Sequence, residues 1–214
     1  MGAIDKIYPG LISHVEGEII PRYDHFDKAH RRDHVETVIA QGLQLSAHYD
    51  MDPNIIYAAA AYHDTGLVEG RDVHHMASGR IVREDSRLRQ WFSEEEIETI
   101  AQAAEDHRPS NRQGPRTIYG SILAEADRVI DPHKIIRRTI QYGISNYPEL
   151  DMEGHWERTV EHLLEKYAEG GYLRLWIPES PNAARLEELR SIIKDRVLLR
   201  KIFEEIFGQE RGKG

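Results

Sequence analysis

The sequence predicts an all-α protein, and three observations support this. Apolar residues recur at spacings of three and four along nearly the whole chain, which is the period of an amphipathic helix. No alternating apolar and polar run is long enough for a strand, and helix-start signals precede several of the apolar segments. We expect one compact helical bundle, with a core over residues 1–150 and a C-terminal helical extension over residues 151–214 that packs on the same domain.

The first two helices follow from the positions of their apolar residues. Leu11, Val15 and Ile19 lie four residues apart and indicate one helix, which Pro21 ends or kinks because proline has no backbone N–H to donate. A second helix is predicted over residues 33–48, where valines, isoleucine and leucines repeat with helical spacing.

The next helices have recognisable N-terminal signals. Asp52-Pro53 marks a helix start, since Asp is a favoured N-cap and proline is tolerated at the first helical position. This helix continues through four alanines and ends near Gly66. Ser93 and Glu96 have the spacing of a capping box, in which each side chain accepts a hydrogen bond from the other's backbone N–H.

Further helices are predicted towards the C-terminus. They cover residues 117–130, 135–140 and 160–167 and, beginning at Ser180-Pro181, one long helix whose apolar stripe reaches Phe203.

Composition excludes several classes of function. The chain has 214 residues and a formal net charge of −9, which argues against a stable complex with nucleic acid. It contains no cysteine, so disulfides, thiolate metal sites and a cysteine nucleophile are excluded, and a cytoplasmic location is expected. No apolar run approaches the roughly 18 residues of a spanning helix, so no membrane partner is expected. Gly-rich phosphate loops and a nucleophile elbow are also absent from the sequence.

Five metal-capable side chains lie on apolar helix faces or at buried helix ends. Asp127 and His107 share a face with apolar residues three and four positions earlier, and His34 shares one with a valine four positions later. His63 and Asp64 stand where the alanine-rich helix stops. Burying an ionised carboxylate is costly unless it is paired or binds a metal.

Taken singly, each of these residues also fits a structural role. A histidine on an apolar face is commonly a hydrogen-bonded core residue, and Asp127 could pair with an arginine such as Arg128, Arg137 or Arg138. Together, imidazole and carboxylate groups without thiolates suit Mn, Fe, Ni, Co or Zn in a hydrolytic or oxidative site.

In chain order, His34, then His63-Asp64, then Asp127 form the pattern H…HD…D, which resembles the signature of the HD superfamily of metal-dependent phosphohydrolases. The surrounding segments are similar to that family as well, over about residues 25–140. They read AAAAYHDTG, HHMASGRIV, AAEDHRPS and LAEADRVID. The resemblance implies an HD-domain helical bundle.

The resemblance also implies a ligand set. His34, His63, Asp64 and Asp127 would hold one divalent metal ion. His74 (or His75) and His107 match positions that bind a second metal in dinuclear members, with Asp64 bridging, and that face the substrate phosphate in mononuclear members. His74 fits better than His75, because it places Ser78 at the family's small position and Ile81-Val82 at its apolar pair.

The implied activity is hydrolysis of a small phosphorylated metabolite, a nucleotide or related phosphate ester, by water activated at Mn, Fe, Ni, Co, Mg or Zn. Asp64, His74 and His107 are the expected catalytic residues, and Arg108 and Lys134 are expected near the phosphate, with Arg112 and Arg116 as further cationic neighbours. The alternatives are an HD-type di-iron oxygenase and a non-enzymatic ligand-binding HD module. The sequence leaves open one or two metals per chain, and the apolar last helix could support a homodimer.

Overall fold

The structure is a computed structural model and describes residues 3–27, 30–108 and 113–212. Within those ranges it contains ten α-helices and no strand, so the predicted all-α class is confirmed. None of these helices combines the length and apolar character needed to cross a bilayer.

The chain divides into two compact units. The first comprises Met1–Arg128 together with Trp176–Ser180, and the second comprises Val129–Leu175 together with Pro181–Gly214. The chain thus passes from one unit to the other at Val129, whereas the sequence analysis places the end of the core at residue 150. The helix that follows Asp131 packs with the C-terminal helices through its apolar face, which contains Ile136 and Ile140.

In the first unit, the described residues form six α-helices. They are α1 (Pro9–His14), α2 (Arg32–Ser46), α3 (Pro53–Tyr62), α4 (His74–Glu84), α5 (Glu94–Asp106) and α6 (Ile118–Ala126). The expected first helix is α-helical only to His14 and continues as a π-helix over Val15–Ile19 and a 3-10 helix over Ile20–His25. Its apolar residues Leu11, Val15 and Ile19 are fully buried.

The predicted caps are present at the starts of α3 and α5, and a further cap starts α6. Asp52 accepts a hydrogen bond from the backbone N–H of Asn54 at 2.8 Å, with Pro53 at the first helical position. Ser93 and Glu96 form the complete capping box of α5. Thr117 caps α6. Each cap satisfies backbone N–H groups that the first turn of a helix leaves unpaired.

Helix α3 is the central element of the first unit. It is in contact with α2, α5 and α6, and every residue from Asn54 to Tyr62 is buried. Its four consecutive alanines, Ala58–Ala61, are fully buried and let the neighbouring helices approach closely. The chain therefore leaves α3 inside the unit, so His63 and Asp64 are also buried.

The second unit contains four α-helices. They are α7 (Pro132–Asn146), α8 (Met152–Tyr167), α9 (Asn182–Lys194) and α10 (Arg196–Arg211). The prediction of one long C-terminal helix is wrong, because the helix is interrupted at Asp195. This residue has an extended conformation, and its carboxylate accepts hydrogen bonds from the N–H groups of Val197 and Leu198, which starts α10 as a new helix. Val197, expected on the apolar stripe, is 83% exposed.

Candidate metal centre

Helix ends of the first unit bring four of the candidate residues together. His34 lies in the first turn of α2, His63 and Asp64 follow the last turn of α3, and Asp127 follows the last turn of α6. The Nε2 atom of His34 lies 3.1 Å from Oδ1 of Asp127 and 3.3 Å from Nε2 of His63. Nε2 of His63 lies 3.2 Å from Oδ2 of Asp64. These four ligand-type atoms are called the first cluster below.

A second cluster lies on the other side of Asp64. Its members are Oδ1 of Asp64, Nε2 of His74 at the start of α4, and Nε2 of His107 at the end of α5. The two imidazole nitrogens lie 3.4 and 3.5 Å from Oδ1 and 3.3 Å from each other. The two oxygens of one buried carboxylate therefore face different clusters.

The spacing of these atoms fits a divalent cation in each cluster. Ligand atoms bonded to one ion at about 2.0–2.1 Å are separated by about 3.0 Å at adjacent octahedral corners and about 3.4 Å at tetrahedral corners. In the first cluster the separations run from 3.1 to 3.7 Å, and in the second from 3.3 to 3.5 Å. The donor set consists of imidazole nitrogen and carboxylate oxygen, which suits divalent transition metals.

Backbone carbonyl groups fix the orientation of three of the rings. The Nδ1 atoms of His63, His74 and His107 lie 2.8, 2.6 and 2.6 Å from the carbonyl oxygens of the residues three positions earlier. A carbonyl oxygen can only accept, so Nδ1 carries the proton and donates. In the neutral ring this leaves the lone pair on Nε2, the atom that faces the cluster, as is usual for metal-binding histidines.

The electrostatics of the first cluster are dominated by its two carboxylates. Burial raises the pKa of Asp64, but the charge of His63 and the hydrogen bonds to the carboxylate outweigh burial and hold the pKa well below its usual range. For Asp127, burial again raises the pKa, but the hydrogen bond from His34 and the charges of His63, His107 and His34 together outweigh it, and the pKa is lowered. Burial lowers the pKa values of His34 and His63, but these carboxylates overcome it and raise both. Both acids are thus ionised at neutral pH, and their negative charges stabilise cations at the site.

Both clusters lie in a part of the chain that matches a known protein family. A family model for the HD domain matches residues 31–130. Residues 31–130 are an HD domain. For these residues, the predicted resemblance to the HD superfamily of metal-dependent phosphohydrolases is confirmed. Comparisons with curated proteins and with solved structures give no match.

All six cluster residues lie inside the HD domain, and the geometry distinguishes His74 from its neighbour. His74 faces Asp64, whereas His75 is in neither cluster. The rings of the two histidines are 5.6 Å apart and steeply inclined, because consecutive helical residues point in different directions. His74 is therefore the histidine that the structure places beside Asp64 and His107.

The expected phosphate-binding cations of the HD domain have different surroundings. Arg108 is half-buried, and its Nη1 donates to the carbonyl oxygen of Asp72 at 2.8 Å. Arg116 is paired with two buried acids, Glu105 and Asp106. Arg112 lies outside the described residues. Lys134 belongs to the second unit, and its ammonium lies 3.9 Å from Asp131 on the same helix.

Sequence reasoning missed the two acids that pair with Arg116. Glu105 and Asp106 directly precede His107 at the end of α5, and both are buried. A signal was available, since Glu105 lies four residues after Ala101 and eight after Ile97 on a buried helix face. A carboxylate at such a position requires a partner, as for Asp127.

Proposed function

We propose that this HD domain binds two divalent metal ions and hydrolyses a phosphate ester of a small metabolite. The observation that carries the proposal is Asp64, whose two carboxylate oxygens face separate groups of histidine nitrogens. The HD family consists mostly of metal-dependent phosphohydrolases. Bound divalent ions would lower the pKa of a bound water towards about 7, and their positive charge would offset the negative charge on the phosphoryl oxygens.

The residues of the site divide into two sets under this proposal. His34, His63 and Asp127 would hold one ion together with Oδ2 of Asp64, and His74 and His107 would hold the other with Oδ1. Asp64 remains ionised because of its surroundings, so it can accept a hydrogen bond from the attacking water and orient it. The carbonyl groups behind His63, His74 and His107 keep their Nε2 atoms aimed at the centre without rearrangement.

A phosphorylated substrate needs cationic and, for a nucleotide, apolar contacts near these residues. Arg108 uses one N–H for Asp72 and has further guanidinium donors for a phosphate oxygen. Apolar side chains are exposed before α4 and in its first turn, with Val68 at 68%, Val73 at 49% and Met76 at 54% exposure. These features support a nucleotide or related ester as the substrate.

The test combines metal counting with an activity screen on the full chain. Purified protein is loaded with Mn²⁺, Fe²⁺, Co²⁺, Ni²⁺, Mg²⁺ or Zn²⁺, the bound metal is measured by elemental analysis, and phosphate release is followed with nucleotides and other phosphate esters. We expect two ions per chain and loss of both binding and hydrolysis in Asp64→Asn. The control is Asp33→Asn, which changes an exposed acid next to His34. Two-metal protein that releases no phosphate from any substrate would overturn the hydrolase proposal.

A di-iron oxygenase is the second candidate, since it requires the same dinuclear set of six side chains. It predicts two irons per chain after anaerobic loading with Fe²⁺, followed by O₂ consumption in the presence of an organic substrate. Fewer than two irons would eliminate it. Tight binding of a phosphorylated ligand without turnover would instead support a non-enzymatic HD module.

A further inference from the structure

Two buried carboxylates directly precede His107 and belong to neither cluster. Glu105 and Asp106 are each 6% exposed and occupy the last turn of α5. A buried carboxylate is tolerated only when charged or hydrogen-bonding partners compensate for lost hydration. The partners of these two acids therefore determine what they contribute to the fold.

Glu105 connects the end of α5 to α4 and to the segment before α6. Its Oε1 accepts a hydrogen bond from Nη1 of Arg83 on α4 at 2.5 Å, and its Oε2 accepts one from Nη2 of Arg116 at 2.5 Å. The side chain crosses α4 at Gly79, where a Cβ atom would lie 2.5 Å from Oε1 of Glu105. Gly79 thus leaves the space through which the carboxylate reaches both arginines.

The carboxylate of Asp106 binds both the backbone N–H and the guanidinium group of Arg116. Its Oδ2 accepts from the backbone N–H of Arg116 at 2.8 Å and from Nε at 3.0 Å, and its Oδ1 accepts from Nη2 at 2.9 Å. Arg116 is followed directly by Thr117, the N-cap of α6. The last turn of α5 is consequently held on two sides, by α4 and by the start of α6.

We infer that Glu105 and Asp106 are positioning residues for the second cluster. They fix the turn from which His107 projects towards Oδ1 of Asp64, and Glu105, through Arg83, also fixes the helix that begins with His74. This inference rests on the proposed two-metal function and names residues that the proposal does not use.

The ion pairs act selectively on the second cluster. Both of its histidines are on the helices that Glu105 joins. In the first cluster, His34 and His63 are on α2 and at the end of α3, and Asp127 follows α6 at the opposite end from Arg116. The hydrogen bonds of Glu105 and Asp106 connect them to Arg83 on α4 and to Arg116 before α6, and neither arginine lies on α2 or α3. Loss of a group that orients a metal-binding histidine typically weakens metal affinity by about 10–100-fold. Here the affinity of the second cluster should fall, while that of the first cluster should not change.

The test measures Mn²⁺ binding to the full chain by equilibrium dialysis and calorimetry. In Glu105→Gln and Asp106→Asn we expect the first equivalent to bind as in the parent and the second to bind at least about tenfold more weakly. Glu98→Gln is the matched control, because Glu98 forms a two-point ion pair with the same Arg83 but is 45% exposed and lies nine positions from His107. It should bind both equivalents normally.

A second variant disturbs the contact between Gly79 and Glu105 without changing a charge. Gly79→Ala pushes the Glu105 carboxylate from the α4 side and should also weaken the second equivalent selectively. The inference is overturned if the variants bind both equivalents like the parent, or if both equivalents weaken together with the melting temperature, as a general structural role would give. Fewer than two equivalents in the parent itself would mean that the proposed function has failed, and the inference with it.

Discussion

Gly66→Ala should disturb both the stability of the HD domain and its second cluster. Gly66 is buried two residues after Asp64, and its N–H donates to Oγ of Ser78 at 2.9 Å. A Cβ atom at this position would lie 2.1 Å from the carbonyl oxygen of His74 and 2.5 Å from the backbone nitrogen of Ser78. Both are backbone atoms of α4, so no side-chain rotation can relieve the overlap.

The size of the effect follows from these distances. The separation from the His74 oxygen must grow from 2.1 Å to at least the 3.4 Å of ordinary contact, so α4 has to move by about 1 Å. Overpacking typically costs 1–3 kcal/mol, and we expect about 3 kcal/mol here because backbone must shift. For a chain of this length that corresponds to a fall in Tm of about 6–12 °C. His74 moves with the helix, and a misplacement of about 1 Å costs about 100-fold in activity.

The measurement is urea- and heat-induced unfolding followed by circular dichroism, together with Mn²⁺ binding. Gly208→Ala serves as the control, because Gly208 lies exposed in α10 with nothing within 4 Å of an added Cβ, and alanine there should stabilise by about 0.5–1 kcal/mol. If Gly66→Ala unfolds at the parent's midpoint and binds the second Mn²⁺ equally well, the proposed close contact between Gly66 and α4 does not exist.

Three further predictions concern a buried hydrogen bond, acid stability and metal removal. Tyr62→Phe removes a hydroxyl that donates to Asp85 at 2.6 Å, and should lower the free energy of unfolding by about 1.5–3 kcal/mol, the range for a hydrogen bond to a charged group; an unchanged urea midpoint would contradict this. His155 is 1% exposed, and both its ring nitrogens lack a hydrogen-bond partner within the described part of the chain, so burial lowers its pKa. As the pH falls below about 6.5, the unfolded chain therefore takes up this proton first and stability is lost. His155→Leu should show a smaller drop in unfolding free energy between about pH 7.5 and 5.5 than the parent, and an equal drop would refute the assignment. Finally, adding Mn²⁺ at about 100 times its Kd should stabilise the folded chain by about 2.7 kcal/mol, and chelator should reverse this; identical melting curves would argue against a metal site.

Local features of the fold could be predicted because they depend on residues close in sequence. The caps at Asp52 and Ser93 each involve a backbone N–H two or three residues away, so a short segment contains all the information needed. The same reasoning fails at Asp195, where an Asp inside an apolar period fits either a helix interior or a new N-cap. The extended backbone at this residue makes it a cap.

Predictions about side-chain partners succeeded less evenly. The apolar neighbours of Asp127 and His107 indicate that both face inward, and the structure brings each of them to a cluster. The partners of Arg116 in the structure, Glu105 and Asp106, lie eleven and ten positions earlier at the end of α5, and the sequence did not indicate this pairing. An ion pair of this kind depends on how two elements pack, which helical periodicity does not specify.

The sequence by itself determined the helical class, the capped starts of α3 and α5 and the inward faces of His107 and Asp127, because periodicity and capping are local. His74 came from the resemblance to the HD superfamily. The tertiary structure decided which atoms meet there. The assignment of one oxygen of Asp64 to His34, His63 and Asp127, and of the other to His74 and His107, arises from the packing of α2, α4, α5 and α6 around the end of α3. Distances of about 3 Å between residues far apart in the chain are set by that packing, and no local pattern contains them.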